Sequence, residues 1–537
     1  MLNDGNPLGL NKLKKSSVRM ASDKPMLSSL SKLYSASISG IDALPVTVET
    51  YIERGAQFNI VGMADTAVRE AYSRIAAAFN RQKVNFPRHR ILINLAPADI
   101  KKEGTGFDLP IAIGIIAAAG YHNFPDLAEC MVVGELSLDG SVLPVRGALP
   151  IAVKARSMGI KKLIVPEANV TEAAVVNNLA VYGVRSLTEA IAVLAGMDDA
   201  PEPTVIDTRR IFAEEAEHFD LDFAEVKGQE SVKRAFEVAC AGGHNLIMIG
   251  PPGAGKSMMA KRLPSILPPL SLGEALETTK IHSVAGKLSR GSMLMTKRPF
   301  RTPHHTVSPV ALVGGGASPM PGEISLAHNG VLFLDEFPEF ARNVLEVMRQ
   351  PIEDRVITVA RAKYTVDYPA SFMLVASMNP CPCGYYGHPT RACTCPAGAQ
   401  AKYMNRISGP LLDRIDIQVE IMPVEFDAMA DREPGEPSAA IRERVVKARQ
   451  IQQERYKDEP GIYCNAQIGS RLIRKYAWPD AEGLALLKER MTKLNMSARA
   501  FDRILRVART IADLDASPTV ETRHMSEAIS YRSLDRG

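Results

Sequence analysis

The residues best suited to chemistry in this chain form one run, Gly250-Pro251-Pro252-Gly253-Ala254-Gly255-Lys256-Ser257. Its glycines let backbone N–H groups wrap phosphate oxygens at the positive end of the helix that follows. Lys256 is placed for the β- and γ-phosphates of a nucleotide, and the Ser257 hydroxyl for Mg²⁺. The context is the one a phosphate loop requires. The apolar strand Asn245–Ile249 leads in, and Met258–Leu263 continues as a helix. About 75 residues further on, Val331–Leu334 is a second apolar strand, ending in Asp335-Glu336. Asp335 suits a magnesium contact and Glu336 the activation of an attacking water. The expected cofactors are therefore ATP and Mg²⁺.

Three more positions complete this reading. The apolar strand Ser371–Met378 ends at Asn379, whose amide could orient water near a γ-phosphate or, alternatively, serve as a turn residue. Arg414, before the apolar run Ile415–Ile421, could project to a neighbouring subunit's γ-phosphate. Its alternative is a salt bridge to Asp413 or Asp416. Arg499 opens a C-terminal helix and is a candidate for nucleotide contact, with Arg503 second and a solvated helix arginine as the alternative.

Cys381-x-Cys383 and Cys393-x-Cys395 bracket a glycine-containing loop with His388. Four thiolates can close a tetrahedral Zn²⁺ site. The C-x-C spacing departs from the commoner C-x₂-C, and free thiols or a redox pair are the alternatives.

These segments need a scaffold. The 537 residues allow roughly three domains. With 46% hydrophobic and 23% charged residues the composition is globular, and a net charge of +4 means that any nucleic-acid-binding surface must be local. The longest apolar stretch, Leu109–Ala119, is too short to span a bilayer and reads as a buried helix. No apolar segment follows the N-terminal lysines, so no secretory signal is expected, and the cysteine pattern suits the cytoplasm. Residues 1–26 read as a disordered leader. Residues 27–197 alternate strands (Val46–Tyr51, Arg90–Leu95, Val132–Leu136, Lys162–Val165) with helices (Asp65–Asn80, Ala148–Ser157), an α/β domain without a phosphate loop. A proline-containing linker, 198–217, leads to the nucleotide-binding core, 218–424. A second linker opens the segment 425–537. Beyond it, Ala439–Tyr456, Ala481–Leu494, Ala498–Leu514 and Glu521–Tyr531 read as a helical lid.

The sequence resembles the bacterial magnesium-chelatase-like AAA+ proteins of the ComM or YifB family. The carrying segments are Phe300–Thr306 (FRTPHHT), Gly322–Gly330 (GEISLAHNG), Asn379–Gly384 (NPCPCG) and Ser408–Asp416 (SGPLLDRID). The resemblance covers nearly the whole chain from about Leu27. It implies an α/β fold: an AAA+ P-loop core with helical lid, preceded by a Lon-protease-like (S5-like) α/β domain. In that frame Asn379 is sensor 1, Arg414 an arginine finger and Arg499 sensor 2. The resemblance also implies a homo-hexameric ring acting on single-stranded or branched DNA, as a helicase in branch migration during transformation or recombination, with no membrane partner. In such a ring Arg301, His304 and His305, before the Asp335 strand, and Arg361 and Lys363, in the hairpin Arg355–Tyr368, are the expected DNA contacts. The hairpin's alternative is a solvated β-turn.

Gly134–Val145 is the strongest Lon-like segment. Lon-type proteolysis needs a serine activated by a lysine. Here Gly104-Thr105-Gly106 occupies the serine region and Leu149 or its neighbours the lysine position, with Lys154 and Ser157 on a helix surface, so no peptidase activity is expected. Two other functions compete with a DNA motor: a metal-chelatase ATPase subunit, which would need a large metal-inserting partner, and a nucleotide-switched scaffold that hydrolyses slowly.

Overall fold

The computed structural model describes residues 28–208, 212, 219–288, 293–316, 319–361, 364–423, 434–494 and 496–532. The expected leader, most of the second linker and Lys363 lie outside the described residues.

The N-terminal sheet is built on a long hairpin. β1 (Ser28–Ser39) and β2 (Asp42–Glu53) pair antiparallel from Ser39 opposite Asp42 outward. The sheet adds β3 (Phe58–Val61), β4 (Arg90–Ala96), β5 (Cys130–Val132), β8 (Lys162–Pro166) and β9 (Ala180–Val184), in the order β3-β4-β2-β1-β5-β8-β9. A separate small hairpin joins β6 (Glu135–Leu136) and β7 (Val142–Leu143). Alternate residues of a strand face opposite sides. Accordingly Cys130, Val132 and Ile164 enter one core with the helices Ala71–Arg81 and Asp108–Ala118, while Met131, Leu163 and Val165 enter another with Ala148–Ser157. Two expectations change here. The helix expected over 65–80 divides into Thr66–Arg69, capped by the Asp65 side chain, and Ala71–Arg81. The strand expected over 132–136 divides into β5 and β6.

The second sheet is parallel. β10 (Leu246–Ile249), β11 (Phe300–Arg301), β14 (Val331–Leu334), β17 (Met373–Met378) and β18 (Ile417–Glu420) lie in the order β11-β14-β17-β10-β18. Two antiparallel pairs stand outside it: β12 (Gly314–Gly315) with β13 (Met320–Pro321), and β15 (Val356–Arg361) with β16 (Tyr364–Pro369). β10, β14 and β17 are buried throughout, as a parallel sheet covered on both faces requires. On one face Leu246, Met248, Val331, Phe333 and Val375 share a single core with lid residues such as Ile441, Ile504 and Ile511. The lid helices are Ser438–Arg455, Ser470–Tyr476, Ala481–Leu494, Ala498–Leu514 and Thr522–Ser530. No helix among the described residues is long and apolar enough to cross a membrane.

The N-terminal domain docks on the helix Leu272–Val284. Lys280 pairs with Asp42 at 3.0 Å, and the Ser283 hydroxyl donates to the Glu172 carboxylate.

One buried carboxylate fastens lid to core. Asp416, just before β18, accepts from the Asn245 N–H (3.0 Å) and from Arg503 of the lid (2.5 Å), with His244 3.7 Å away. Burial alone drives its carboxyl upward, but Arg503 and then His244 outweigh it and hold the group well below the usual carboxylate range. A depressed folded pKa contributes stability that is present above about pH 4, the ordinary value, and is lost as pH falls below it. Replacing Arg503→Met leaves that charge buried and unpaired, which costs about 3–5 kcal/mol. Thermal unfolding at neutral pH should show a lowered midpoint, partly recovered by adding Asp416→Asn. An unchanged midpoint would refute this role.

Candidate nucleotide site

The phosphate loop follows β10, the two carboxylates follow β14, and Asn379 follows β17, the strand between them. Ile249 lies opposite Met378 and Leu334 opposite Ala376, so all three chain segments emerge at the same carboxyl edge of the sheet. The loop packs closely against the end of β18: a Cβ on Gly250 would stand 2.4 Å from the Ile421 carbonyl oxygen.

Lys256 is buried at the first turn of its helix. Its ammonium donates to the carbonyls of Gly250 (2.7 Å) and Pro251 (2.9 Å) and to Oδ1 of Asn379 (3.0 Å). Burial weakens its hold on the proton, partly offset by Asp335 and Glu336. All three acceptors are neutral, so they orient the charge without cancelling it, an arrangement suited to an anion.

Ser257 Oγ donates to Asp335 Oδ2 at 2.6 Å, and the other Asp335 oxygen accepts from the Ser377 hydroxyl and from the Glu336 N–H. A hydroxyl and a carboxylate oxygen so close are hard donors near the ~3 Å spacing of adjacent ligands in a magnesium octahedron. The pair therefore fits Mg²⁺. Ser377 was not anticipated; its place two residues before Asn379, on an alternate position of the strand, is the only sequence signal for it.

Glu336 is held at φ +53°, a left-handed conformation that costs a non-glycine residue of order 1 kcal/mol. Its side chain is 59% exposed, with His305 Nδ1 3.6 Å from Oε2.

Arg414 departs from expectation. Its guanidinium does not project but is buried, donating to the Pro410 carbonyl (2.5 Å) and pairing with Glu353 (2.8 Å) rather than with Asp413 or Asp416. Glu353 lies on a helix remote in sequence, which is why the pair was not foreseen. The Arg414 carbonyl accepts from the Asn245 side chain, at the opposite end of β10 from the chain's own phosphate loop. Arg503 reaches the same carbonyl (3.3 Å). Arg499, exposed, sits one helical turn before Arg503.

The expected DNA contacts also redistribute. Arg301 is held by Glu323 through two bonds of 2.7 and 2.8 Å, so it does not offer an open charge to a phosphate. His305 lies beside Glu336, and the exposed His304 packs against the His305 ring, tilted by 35° with centroids 4.1 Å apart. The β15–β16 hairpin forms as expected, ending with Arg361 opposite Tyr364.

The four cysteines come together. Sγ separations are 3.4 Å for Cys381–Cys383, 3.7 Å for Cys381–Cys393 and 3.5 Å for Cys383–Cys393, and all four sulfurs, Cys395 included, lie within 4.8 Å of one another.

In the N-terminal domain the Thr105 hydroxyl donates to Glu135, and Leu149 is buried with its N–H bonded to Glu172 at 2.9 Å. Leu149 has no amine to activate a nucleophile. The Ser157 hydroxyl is satisfied by the Lys154 carbonyl at 2.8 Å.

Fold and site together define an AAA+ P-loop module with a helical lid, fused to an α/β N-terminal domain. Family comparison agrees. Residues 222–429 match "Magnesium chelatase, subunit ChlI", residues 48–169 "Subunit ChlI of Mg-chelatase", and residues 435–532 "Magnesium chelatase, subunit ChlI C-terminal". The chain is 42% identical over 512 residues to the YifB protein of Escherichia coli K12, covering 95% of this chain and 98% of that one. It is 40% identical over 515 residues to the competence protein ComM of Haemophilus influenzae, again covering 95% and 98%. It belongs to the ComM/YifB family of magnesium-chelatase-like proteins. A shorter similarity, 26% identity over 148 residues, links 27% of the chain to 23% of an archaeal Lon protease of Thermococcus kodakarensis.

Proposed function

We propose that this protein is an ATP-hydrolysing motor that acts on DNA as a ring of identical subunits. The observation that carries the ring is the distance between Arg414 and the chain's own phosphate loop. The Arg414 backbone, bonded to Asn245, and the phosphate loop flank opposite ends of β10, whose four residues span roughly 13 Å at ~3.3 Å per residue. An arginine so placed serves a nucleotide on an adjoining subunit, once it exchanges Glu353 for phosphate. Arg499, toward the same end, is assigned the same direction of action.

Within one subunit Lys256 holds the phosphates and Ser257 with Asp335 hold Mg²⁺, which neutralises phosphate charge. Glu336 takes the proton of the attacking water and Asn379 orients that water. The four thiols take zinc as a structural ion. DNA as substrate is supported by the family relationship, including the relative named as a competence protein. Within the chain, Arg361 and Lys363 of the hairpin are the preferred contacts, with His304 secondary.

The test of function is ATPase activity with and without DNA, together with unwinding of a branched DNA. The wild type should be stimulated by DNA and should unwind the branch. Glu336→Gln should bind ATP normally and lose at least about a hundredfold in turnover, the scale of general-base catalysis. ATPase that ignores DNA, with no unwinding, would defeat the motor reading.

Arg414→Ala should bind ATP but not hydrolyse it. Mixed with Lys256→Ala subunits, it should regain part of the activity at mixed interfaces. Mixed rings that stay inactive would rule out action between subunits.

Arg361→Ala with Lys363→Ala should keep basal ATPase, lose DNA stimulation and unwinding, and show a shallower salt dependence of DNA binding. Wild-type unwinding by this variant would dismiss the hairpin as the gripping element.

A further inference from the structure

The four-thiol cluster does not stand apart from the nucleotide site; it shares a wall with it. Cys381 follows Asn379-Pro380 directly and is fully buried. The chain then turns tightly, with the Gly384 N–H bonded to the Cys381 carbonyl at 2.9 Å. Gly384 lies at φ +83°, and a Cβ there would be 2.5 Å from Cδ of Pro252 in the phosphate loop. The backbone of the cysteine loop therefore rests on the loop that would cradle the phosphates. On its other side, Tyr403, on the helix Ala399–Met404 just after Cys395, is buried in the same core as Met378, the residue before Asn379.

The sulfurs meet the demand of a thiophilic cation. Zinc bound to four thiolates at ~2.3 Å places neighbouring sulfurs ~3.8 Å apart. The observed separations among Cys381, Cys383 and Cys393, 3.4–3.7 Å, approach that edge, and the Cys383 N–H donates to Cys395 Sγ at 3.4 Å. The intervening loop is ordered by its own contacts. The Arg391 guanidinium lies 3.9 Å over the Tyr385 ring and donates to its hydroxyl at 2.7 Å, while His388 Nδ1 accepts from the N–H groups of Thr390 and Arg391. That leaves the closure of the loop's two ends to the cysteines.

We propose that zinc at Cys381, Cys383, Cys393 and Cys395 sets the affinity of the phosphate loop for nucleotide. The metal ties residues 381–383 to 393–395, and so holds Gly384 against Pro252 and Asn379 against the Lys256 ammonium, 3.0 Å away. Each coordinating thiol gives up its proton to solvent, and no electron is transferred. Without zinc the two ends separate, Asn379 and Pro252 lose their backing, and the loop must be ordered by the nucleotide itself. Binding energies of two ligands are reciprocally linked, so whatever factor zinc adds to ATP affinity ATP must add to zinc affinity. This inference rests on the assignment of Gly250–Ser257 as a nucleotide loop.

The experiment uses the full chain purified without added metal. Elemental analysis should find about one zinc per chain. Titration with labelled ATP in excess Mg²⁺ should show affinity about tenfold or more weaker after zinc removal by a zinc-selective chelator, and restored when zinc is returned, within the usual range of coupling between sites. In the reverse direction, ATP should slow chelator-driven zinc release from the wild type but not from Lys256→Ala, which keeps all four thiols. Cys393→Ser with Cys395→Ser should lose zinc and reproduce the weaker affinity. Protein free of zinc with four titratable thiols would overturn the site. Zinc-loaded and zinc-stripped protein of equal ATP affinity would overturn the coupling alone. Zinc-loaded wild type that binds no ATP would refute the nucleotide-loop assignment, and the coupling with it.

Discussion

Parallel pairing of three buried strands is the constraint on which the site depends. β14, β17 and β10 are aligned so that residues beyond their carboxyl ends emerge together, which brings Asp335, Asn379 and Gly250 to one edge. Each strand is fully buried and gains its stability from apolar faces on both sides. A one-residue slip would turn every side chain to the opposite face and separate the carboxylates from the phosphate loop. The polar contacts at the edge, Lys256 to Asn379 and Ser257 to Asp335, refine a geometry that hydrophobic packing has already set.

The opposite edge of the same sheet is a concentration of arginines around few acids. Arg414 is matched by Glu353 and Arg503 by Asp416, while burial makes Arg355 and Arg506 easier to deprotonate than usual, Asp416 acting against that. Excess positive charge under a buried seam is costly unless something repays it. Asp416 repays part by joining lid to core. Thus the two ends of β10 carry different chemistry: Lys256 beside the carboxylates Asp335 and Glu336 at one, a cluster of arginines at the other.

The N-terminal domain presents a different economy. Where its Lon-like relative suggests a nucleophile and base, this chain has a threonine bonded to Glu135 and a buried leucine. Its sheet is intact and its hairpin turn reaches the second domain: a Cβ on Gly40 would stand 2.9 Å from Val366 of β16, and Ile41 packs against that core. The domain thus docks through apolar contacts of Gly40 and Ile41 as well as through the polar contacts of Asp42 and Glu172.

The parts legible in the amino-acid order were those whose signal is local. The phosphate loop, the apolar strands ending in Asp335-Glu336 and Asn379, the cysteine spacing and the helices Ala148–Ser157, Ala481–Leu494 and Ala498–Leu514 are contiguous runs with a period of their own. β1 was not legible, because serines alternate along it and a central strand with buried Ser35 reads as polar. The break after Arg69 was hidden because helical periodicity continues across it. Pairings between distant segments were beyond reach for a different reason. That Arg414 turns to Glu353, that Glu323 claims Arg301, that His305 stands by Glu336 and that Gly384 rests on Pro252 depend on which charges and surfaces packing brings within a few ångströms. Residue types supply the chemical capacity; long-range packing selects the partner, because Coulomb and contact energies fall off over distances that chain order does not encode.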